Sequence, residues 1–327
     1  MNKVLLTGGA GFFGSHIAEK LIDQGYPLII IDSCNDETTQ KKIKKNNLKI
    51  LKDKSKKLNS YFKFYEEDIK NENEILNIFK VEKPEILIHA ASLVMDRASV
   101  DIPIEFIKTN IEGSQILINA VSSVDTFKKI VFISSRSAIG ETVNESSYIK
   151  ENDNFKPINP YGASKAAAES FFYSFHSISK MPLTICRMQP MYGPRCRHDM
   201  LIWRVLDSIL SGSEINKYGD GNAIRDWLHV YDAVNAILKI IEFKSEFEIF
   251  NIGTGIGTST NEIIRICEKI SKKKANIVKI DSVKGDAYFA GLADCSEIEK
   301  KLNWKAEINI EDGIQSTFKF MKNFYLS

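Results

Sequence analysis

Residues 7 to 14 read Thr-Gly-Gly-Ala-Gly-Phe-Phe-Gly. They follow the apolar run Val4–Leu6 directly and open an amphipathic stretch from Phe12 to Gln24. A strand that enters a glycine turn and leaves as a helix restricts the fold to very few solutions. Gly8, Gly11 and Gly14 give GxxGxxG, a spacing that lets backbone turn tightly and approach a pyrophosphate at a helix N-terminus. A glycine turn alone is often only a turn. Here Asp32 closes the next strand, Leu28–Ile31, where a carboxylate accepts both hydroxyls of an adenosine ribose. A 2′-phosphate would meet a like charge there, so the pattern favours NAD over NADP.

The rhythm continues with apolar runs at Phe62–Tyr65, Ile86–His89 and Ile130–Ile133, separated by helical patterns around Ile75–Phe79 and Pro103–Val121. This alternation predicts an α/β chain, a Rossmann-type doubly wound parallel sheet with a smaller C-terminal substrate-binding lobe. We place the NAD-binding domain at 1–187, with some later segments returning to it, and the lobe mainly at 188–327. Later strands are expected at Leu183–Arg187, Ile249–Ile252 and Ile277–Ile280. Helices are expected at Tyr161–Ser177, Val230–Ile241, Thr260–Ile270, Ser296–Leu302 and Ile310–Phe320. The Lys/Asn-rich stretch Lys41–Lys57 reads as a solvated helix or surface loop anchored by Ile43, Leu48, Ile50 and Leu51.

Composition excludes several classes. Lys+Arg is 44 and Asp+Glu is 42 in 327 residues, a balance that argues against nucleic acid or acidic membrane as a partner. The five cysteines are scattered without a CxxC pair, which excludes a disulfide framework and a zinc ribbon. We expect no metal. No apolar run approaches the ~18 residues of a membrane span. No signal peptide is read at the N-terminus, so the expected location is cytoplasmic.

Tyr161-Gly-Ala-Ser-Lys165 is the second signal. A spacing of four puts Tyr161 and Lys165 on one helix face, and a neighbouring ammonium favours a phenolate. Ser134 and Ser135 end the strand Ile130–Ile133, at the side of an open α/β sheet where ligands bind. Each part alone has a bland reading, a surface pair or a strand-end cap. Ser, Tyr and Lys after a GxxGxxG start are far more specific together.

With these residues in view, the chain resembles the extended short-chain dehydrogenase/reductases, in the NAD-dependent nucleotide-sugar epimerase/dehydratase branch. TGGAGFFG, Asp68-Ile69, His89-Ala-Ala-Ser92, Asn110, SSRSAIG, YGASK, RMQPMYGPR, RDWLHVYDA, FNIGTG and KGDAYFAGLAD occur in that family's order. The resemblance implies Ser135, Tyr161 and Lys165 as the catalytic triad. It implies NAD contacts from Gly8, Gly11, Phe12, Phe13, Gly14, Asp32, Ser33, Asn35, Asp68, Ile69, Ala90, Ala91, Ser92, Asn110 and Ser134, besides Tyr161 and Lys165. It also implies a homodimer that pairs the Tyr161 helix with the preceding long helix. Ala166, Ala167, Phe171, Phe172, Phe175, Ile107, Ile111, Ile116, Leu117 and Val121 would supply its apolar faces.

The residues after Ser135 discriminate within the family. Sugar 4,6-dehydratases carry Asp-Glu there, and UDP-glucuronate decarboxylases carry Glu at the second place. This chain has Arg136 and Ser137. Without a carboxylic acid, elimination and decarboxylation lack their usual acid/base, while epimerisation needs only the triad and NAD. DSCND, Asp96-Arg97-Ala-Ser99 and GPRCRHDM resemble motifs of the UDP-glucuronate 4-epimerases. By that likeness Arg197 would meet a C6 carboxylate, for which its planar fork is suited. Arg97, Arg136, Tyr218, Arg225 and Asp286 complete the implied substrate set. Departures stand at Pro190, at Ala138-Ile139-Gly140, and at Val283, where Lys284 is the nearest cation. The expected activity is C4 epimerisation of a UDP-sugar, a uronic acid among the candidates, through a transient 4-keto sugar. The alternatives are a dehydrogenase, keto-reductase or dehydratase of the family, or a non-catalytic NAD-binding protein.

Overall fold

Seven short strands, β1 Val4–Thr7, β2 Leu28–Ile31, β3 Phe62–Tyr65, β4 Ile86–His89, β5 Lys129–Ser135, β6 Leu183–Met188 and β7 Phe247–Ile252, form one sheet. The computed structural model describes residues 1–36, 39–142, 144, 147–281 and 290–326, the last three by backbone alone. The sheet order is β7-β6-β5-β4-β1-β2-β3, and every pairing is parallel. β7 therefore returns to the sheet from late in the sequence.

A parallel sheet must be covered on both faces, and these strands are apolar on both. Alternation sends Leu5, Ile29, Leu87, Phe132 and Ile185 to one face, and Leu6, Ile30, Ile88, Val131 and Cys186 to the other. The helices are α1 Phe12–Asp23, α2 Lys41–Lys57, α3 Glu72–Glu82, α4 Gly113–Ser122, α5 Pro160–Ser179, α6 Leu201–Ser211, α7 Val230–Glu242, α8 Thr260–Ser271, α9 Ser296–Leu302 and α10 Ile310–Leu326. Ile75, Leu117 and Phe172 of α3, α4 and α5 cover the first face; Ile17, Leu51 and Val234 of α1, α2 and α7 cover the second. α6, α8 and α10 pack around two small ribbons, Glu214–Tyr218 with Asn276–Ile280 and Ile224–Asp226 with Gly257–Ser259. Ile202, Ile263 and Met321 join these helices to the second-face core.

Three elements differ from the expectations. α6 was hidden between charge-rich loops, although Ile202, Val205, Leu206 and Ile209 keep helical spacing and are buried. The stretch 103–121 is not one regular helix. A π-helical turn at Ile107–Glu112 interrupts it and buries Asn110. In α2, Ile43, Leu48 and Leu51 are buried, but Ile50 is 37% exposed because it lies off their face. That face buries Lys44 and Asn47 instead. Among the described residues no helix is long and apolar enough to cross a membrane.

The sheet order reverses between β1 and β4, which opens a crevice at their C-terminal ends. Gly14 is fixed there by packing. A Cβ on it would lie 2.1 Å from the Gly8 carbonyl oxygen and 2.8 Å from Gly9 Cα. Both are backbone atoms, so the turn itself would have to move. Gly14→Ala should therefore cost more than about 3 kcal/mol, near the severe end for a single substitution. Chemical denaturation measures it, and a loss below about 1 kcal/mol would refute the close approach.

Candidate active site

The crevice continues as one cleft of about 820 Å³ from the glycine turn to the C-terminal lobe. At its floor Gly8 takes φ +72°, and a Cβ there would lie 2.8 Å from the Ala91 nitrogen. The backbone of two strand ends is thus left bare, close enough for a ligand to touch. α1 begins at Gly11 with no side-chain cap and no acid in its first turn. Its free N–H groups and the helix dipole suit an anion. Both observations fit the pyrophosphate of a dinucleotide.

Asp32 lies at the adjoining end of β2, buried. Its Oδ2 accepts the Ala10 N–H at 3.0 Å and its Oδ1 the Cys34 N–H at 2.9 Å. Lys44 Nζ, from α2, lies 3.2 Å from Oδ1. Phe12, Phe13, Gly14, Ser33, Asn35, Asp68, Ile69, Ala90, Ala91 and Ser92 line the same end. Asn110 does not. Its Oδ1 accepts from Ser92 Oγ and the Leu93 N–H, and its Nδ2 donates to the Leu93 carbonyl and to Ser164 Oγ. With its amide fully used inside the protein, Asn110 braces the loop after β4 against α5 rather than facing the cleft.

The reaction end is built by β5 and α5. Ser135 closes β5 and caps the turn Arg136–Ala138, its Oγ accepting the Ser137 N–H at 3.1 Å. Asn159 caps α5, accepting the Gly162 N–H at 2.8 Å, with Pro160 preset in the first turn. Tyr161 follows immediately, buried against the edge of Phe106. Burial pushes its pKa up to about 12, against the pull of the Ser135 hydrogen bond and the guanidinium charges of Arg197 and Arg136.

Lys165 reaches back to the strand that ends in Ser135. Its Nζ donates to the Ile133 carbonyl at 2.7 Å and stands over the Phe132 ring. Burial lowers its pKa to about 7, opposed by Glu169 one turn on. Of the charges around the Tyr161 phenol, Asp96 raises its pKa and the Arg197 and Arg136 guanidiniums lower it, while the Lys165 Nζ is turned to the strand carbonyl. Glu169 is buried on Arg187, with Nη2 at 2.8 Å and Nε at 3.1 Å from Oε2, and it accepts the Ser134 hydroxyl. Ser134 lines the cleft, but its proton is committed to Glu169.

Four substrate-side arginines also have partners in the protein. Arg197 lines the cleft, yet its fork is filled. Nε and Nη2 bond Asp199 at 2.9 and 2.7 Å, and Nη1 bonds the Val94 carbonyl. A carboxylate two residues away in the same loop meets the geometry that a ligand carboxylate would need. Arg136 is buried and donates to the carbonyls of Gly140 and Ala290. The Arg97 guanidinium lies 3.7 Å from the Tyr218 ring centroid, with Arg204 at 5.9 Å. Arg225 lines this end and donates to the Ile224 carbonyl. Asp286, Val283 and Lys284 lie outside the described residues.

Sequence reasoning passed over Lys44, Glu169, Asp199 and Gln189. Gln189 lines the cleft, and its buried Oε1 meets no hydrogen-bond partner among the described residues. Among the described residues no cluster of His, Cys, Asp and Glu is arranged to hold a metal.

Residues 5–317 match the family described as GDP-mannose 4,6 dehydratase. The chain is 31% identical over 325 residues to a UDP-glucuronate 4-epimerase of Thermodesulfobacterium geofontis, covering 98% of this chain and 97% of that one. It is similar to the UDP-glucuronic acid 4-epimerase of Bacillus cereus, solved in complex with UDP-glucuronic acid and NAD. That likeness has a TM-score of 0.90 and 29% identity, over 99% of this chain and 100% of the other. The UDP-glucose 4-epimerase of Thermotoga maritima, solved with UDP-glucose, matches with a TM-score of 0.88 and 30% identity over 99% of each chain.

The low Lys165 pKa has a consequence for stability. The group ordinarily titrates at 10.5 and here at about 7. Between those values the unfolded chain holds a proton that the folded chain lacks, so stability rises with pH through that window. Lys129, lowered to about 8, acts in the same sense in wild type and variant alike. Lys165→Met should therefore show a smaller stability gain than wild type from pH 7 to 9.5. Denaturant midpoints at the two pH values test this, and equal gains would refute it.

Proposed function

Since the chain belongs to the GDP-mannose 4,6 dehydratase family of extended short-chain dehydrogenase/reductases, we propose that it is an NAD-dependent 4-epimerase of a nucleotide sugar. The observation that carries the reading is the pair Ser135 and Tyr161 at one end of the cleft, with Arg136 and Ser137 beside it. Elimination needs a free acid there. Among the described residues the two carboxylates lining that end, Asp96 and Asp199, accept from Asn159 and Arg197. Epimerisation asks only for a proton acceptor at one hydroxyl and a hydride acceptor at the carbon that bears it.

NAD would lie on Gly8, Gly11 and the α1 N-terminus with its ribose at Asp32, and it supplies hydride acceptance and return at a sugar carbon. Tyr161 takes the proton of the sugar hydroxyl and gives it back. Ser135 holds the same oxygen by a hydrogen bond. Arg136 and Arg197 supply the positive field that favours the phenolate. Lys165, fixed on the Ile133 carbonyl, holds the strand end and the helix at a constant separation. The proposed substrate is a UDP-sugar, with a uronic acid favoured by the likeness to the glucuronate epimerases.

The test is incubation with UDP-, dTDP-, GDP- and CDP-sugars, UDP-glucuronate and UDP-glucose included, followed by NMR of the products. A 4-epimer is expected; a 4-keto-6-deoxy product would overturn the reading in favour of a dehydratase. Tyr161→Phe should lower turnover by ~10²–10⁴, the usual worth of a positioned proton acceptor. Activity within a few-fold of wild type would assign the proton to another group.

We also propose a homodimer. Phe172, Ile116, Leu117, Val121 and Ala166 are buried in the chain's own core. Ile107 and Phe171 are 49% and 44% exposed, and Ile111, Ala167 and Phe175 are half-buried beside them. One apolar face of the helix pair is thus used and a second left open, the arrangement that a symmetric helix interface covers. Light scattering at micromolar concentration should give twice the chain mass, and Phe171→Glu should halve it. A wild-type monomer would reject the dimer.

A further inference from the structure

The ammonium at the ribose end is unusual for its burial. Lys44 and Asp32 leave only 6% and 4% of their side chains exposed, and their charges lie 3.2 Å apart. The pairing is built by helix α2. Asn47, one turn beyond Lys44, donates to the Ala10 carbonyl at 2.9 Å, which pins α2 to the glycine turn. Lys44 Nζ also reaches Asn35 Oδ1 at 3.5 Å, and both residues line the cleft with Asp32.

A lone carboxylate at this place rejects a 2′-phosphate by like charge and rewards ribose hydroxyls. Here an ammonium cancels that charge at contact distance, and Coulomb repulsion of an incoming phosphate falls with it. An ammonium carries three donors, of which Asp32 takes one and Asn35 can take another. Among the described residues no third acceptor meets it, and lysine binds phosphate well as a point charge.

We propose that Lys44 is a cofactor-selectivity residue that lets this cleft accept a 2′-phosphorylated dinucleotide alongside the unphosphorylated one. The proposal rests on reading the cleft as a dinucleotide site. Discrimination between NAD and NADP is then weak in this chain, and it depends on Lys44 more than on Asp32.

The test reads bound nucleotide rather than turnover. Purified protein is equilibrated with an equimolar excess of NAD and NADP until the bound ratio is constant, gel-filtered and denatured. The released dinucleotides are then quantified by chromatography. Wild type should release NADP as at least a tenth of the total. Lys44→Met should lower the NADP share at least tenfold, while Lys44→Arg, which keeps the charge, should retain it. Thermal melts check that each variant is folded. An NADP share below one hundredth in wild type, or a share unchanged by Lys44→Met, would overturn the proposal and leave the NAD site intact. Release of neither nucleotide would overturn the reading of the cleft itself.

Discussion

The structure depends on one close approach of backbone to backbone. Gly8 sits against Ala91 and Gly14 against Gly8, so that the ends of β1 and β4 and the start of α1 meet with no side chain between them. Side chains at either position would push α1 away from the sheet. The crevice would widen, and the N–H groups at the helix start would no longer face a ligand resting on the strand ends. Sheet order, helix direction and anion site therefore stand or fall together at this turn.

At the other end of the cleft the governing fact is the expense of burying charge. Burial opposes ionisation of both Tyr161 and Lys165, moving the phenol up and the ammonium down. A buried charge without a partner is strongly unfavourable, and partners are supplied in layers. Arg187 pairs Glu169, Glu169 supports Lys165, and Asp199 pairs Arg197. The Arg197 charge that reaches Tyr161 is thereby held in place by Asp199, as preorganised electrostatics requires.

Much of this was legible in the sequence because the signals are local. Strand, glycine turn and helix fall within twenty residues, and Tyr161 and Lys165 share one helical turn pair. What was not legible involves partners brought together by the sheet. Lys44 looked like one more lysine in a solvated helix, because its partner Asp32 lies at the end of another element. Glu169 and Arg187 meet only once α5 has packed on β6. Arg197 illustrates a different limit. A guanidinium fork fits any carboxylate, and residue type does not say whether that carboxylate belongs to a ligand or to the same loop. Asn110 was identifiable as important, but the π-helical turn that rotates its amide inward leaves no local signature.

The stacking of Arg97 on Tyr218 joins the two sides of the cleft, since Arg97 follows β4 and Tyr218 ends a strand of the lobe. A planar ring arriving on that face of Tyr218 has to displace the guanidinium before it gains any contact. The protein thus carries an internal competitor for its own aromatic surface. Cation–π contacts of this kind are worth about 0.5–2 kcal/mol. Such a competitor would lower the affinity of any ring that stacks there by that amount and, by the same token, help to expel it. A residue pair that weakens occupancy serves turnover wherever departure of product is the slow event.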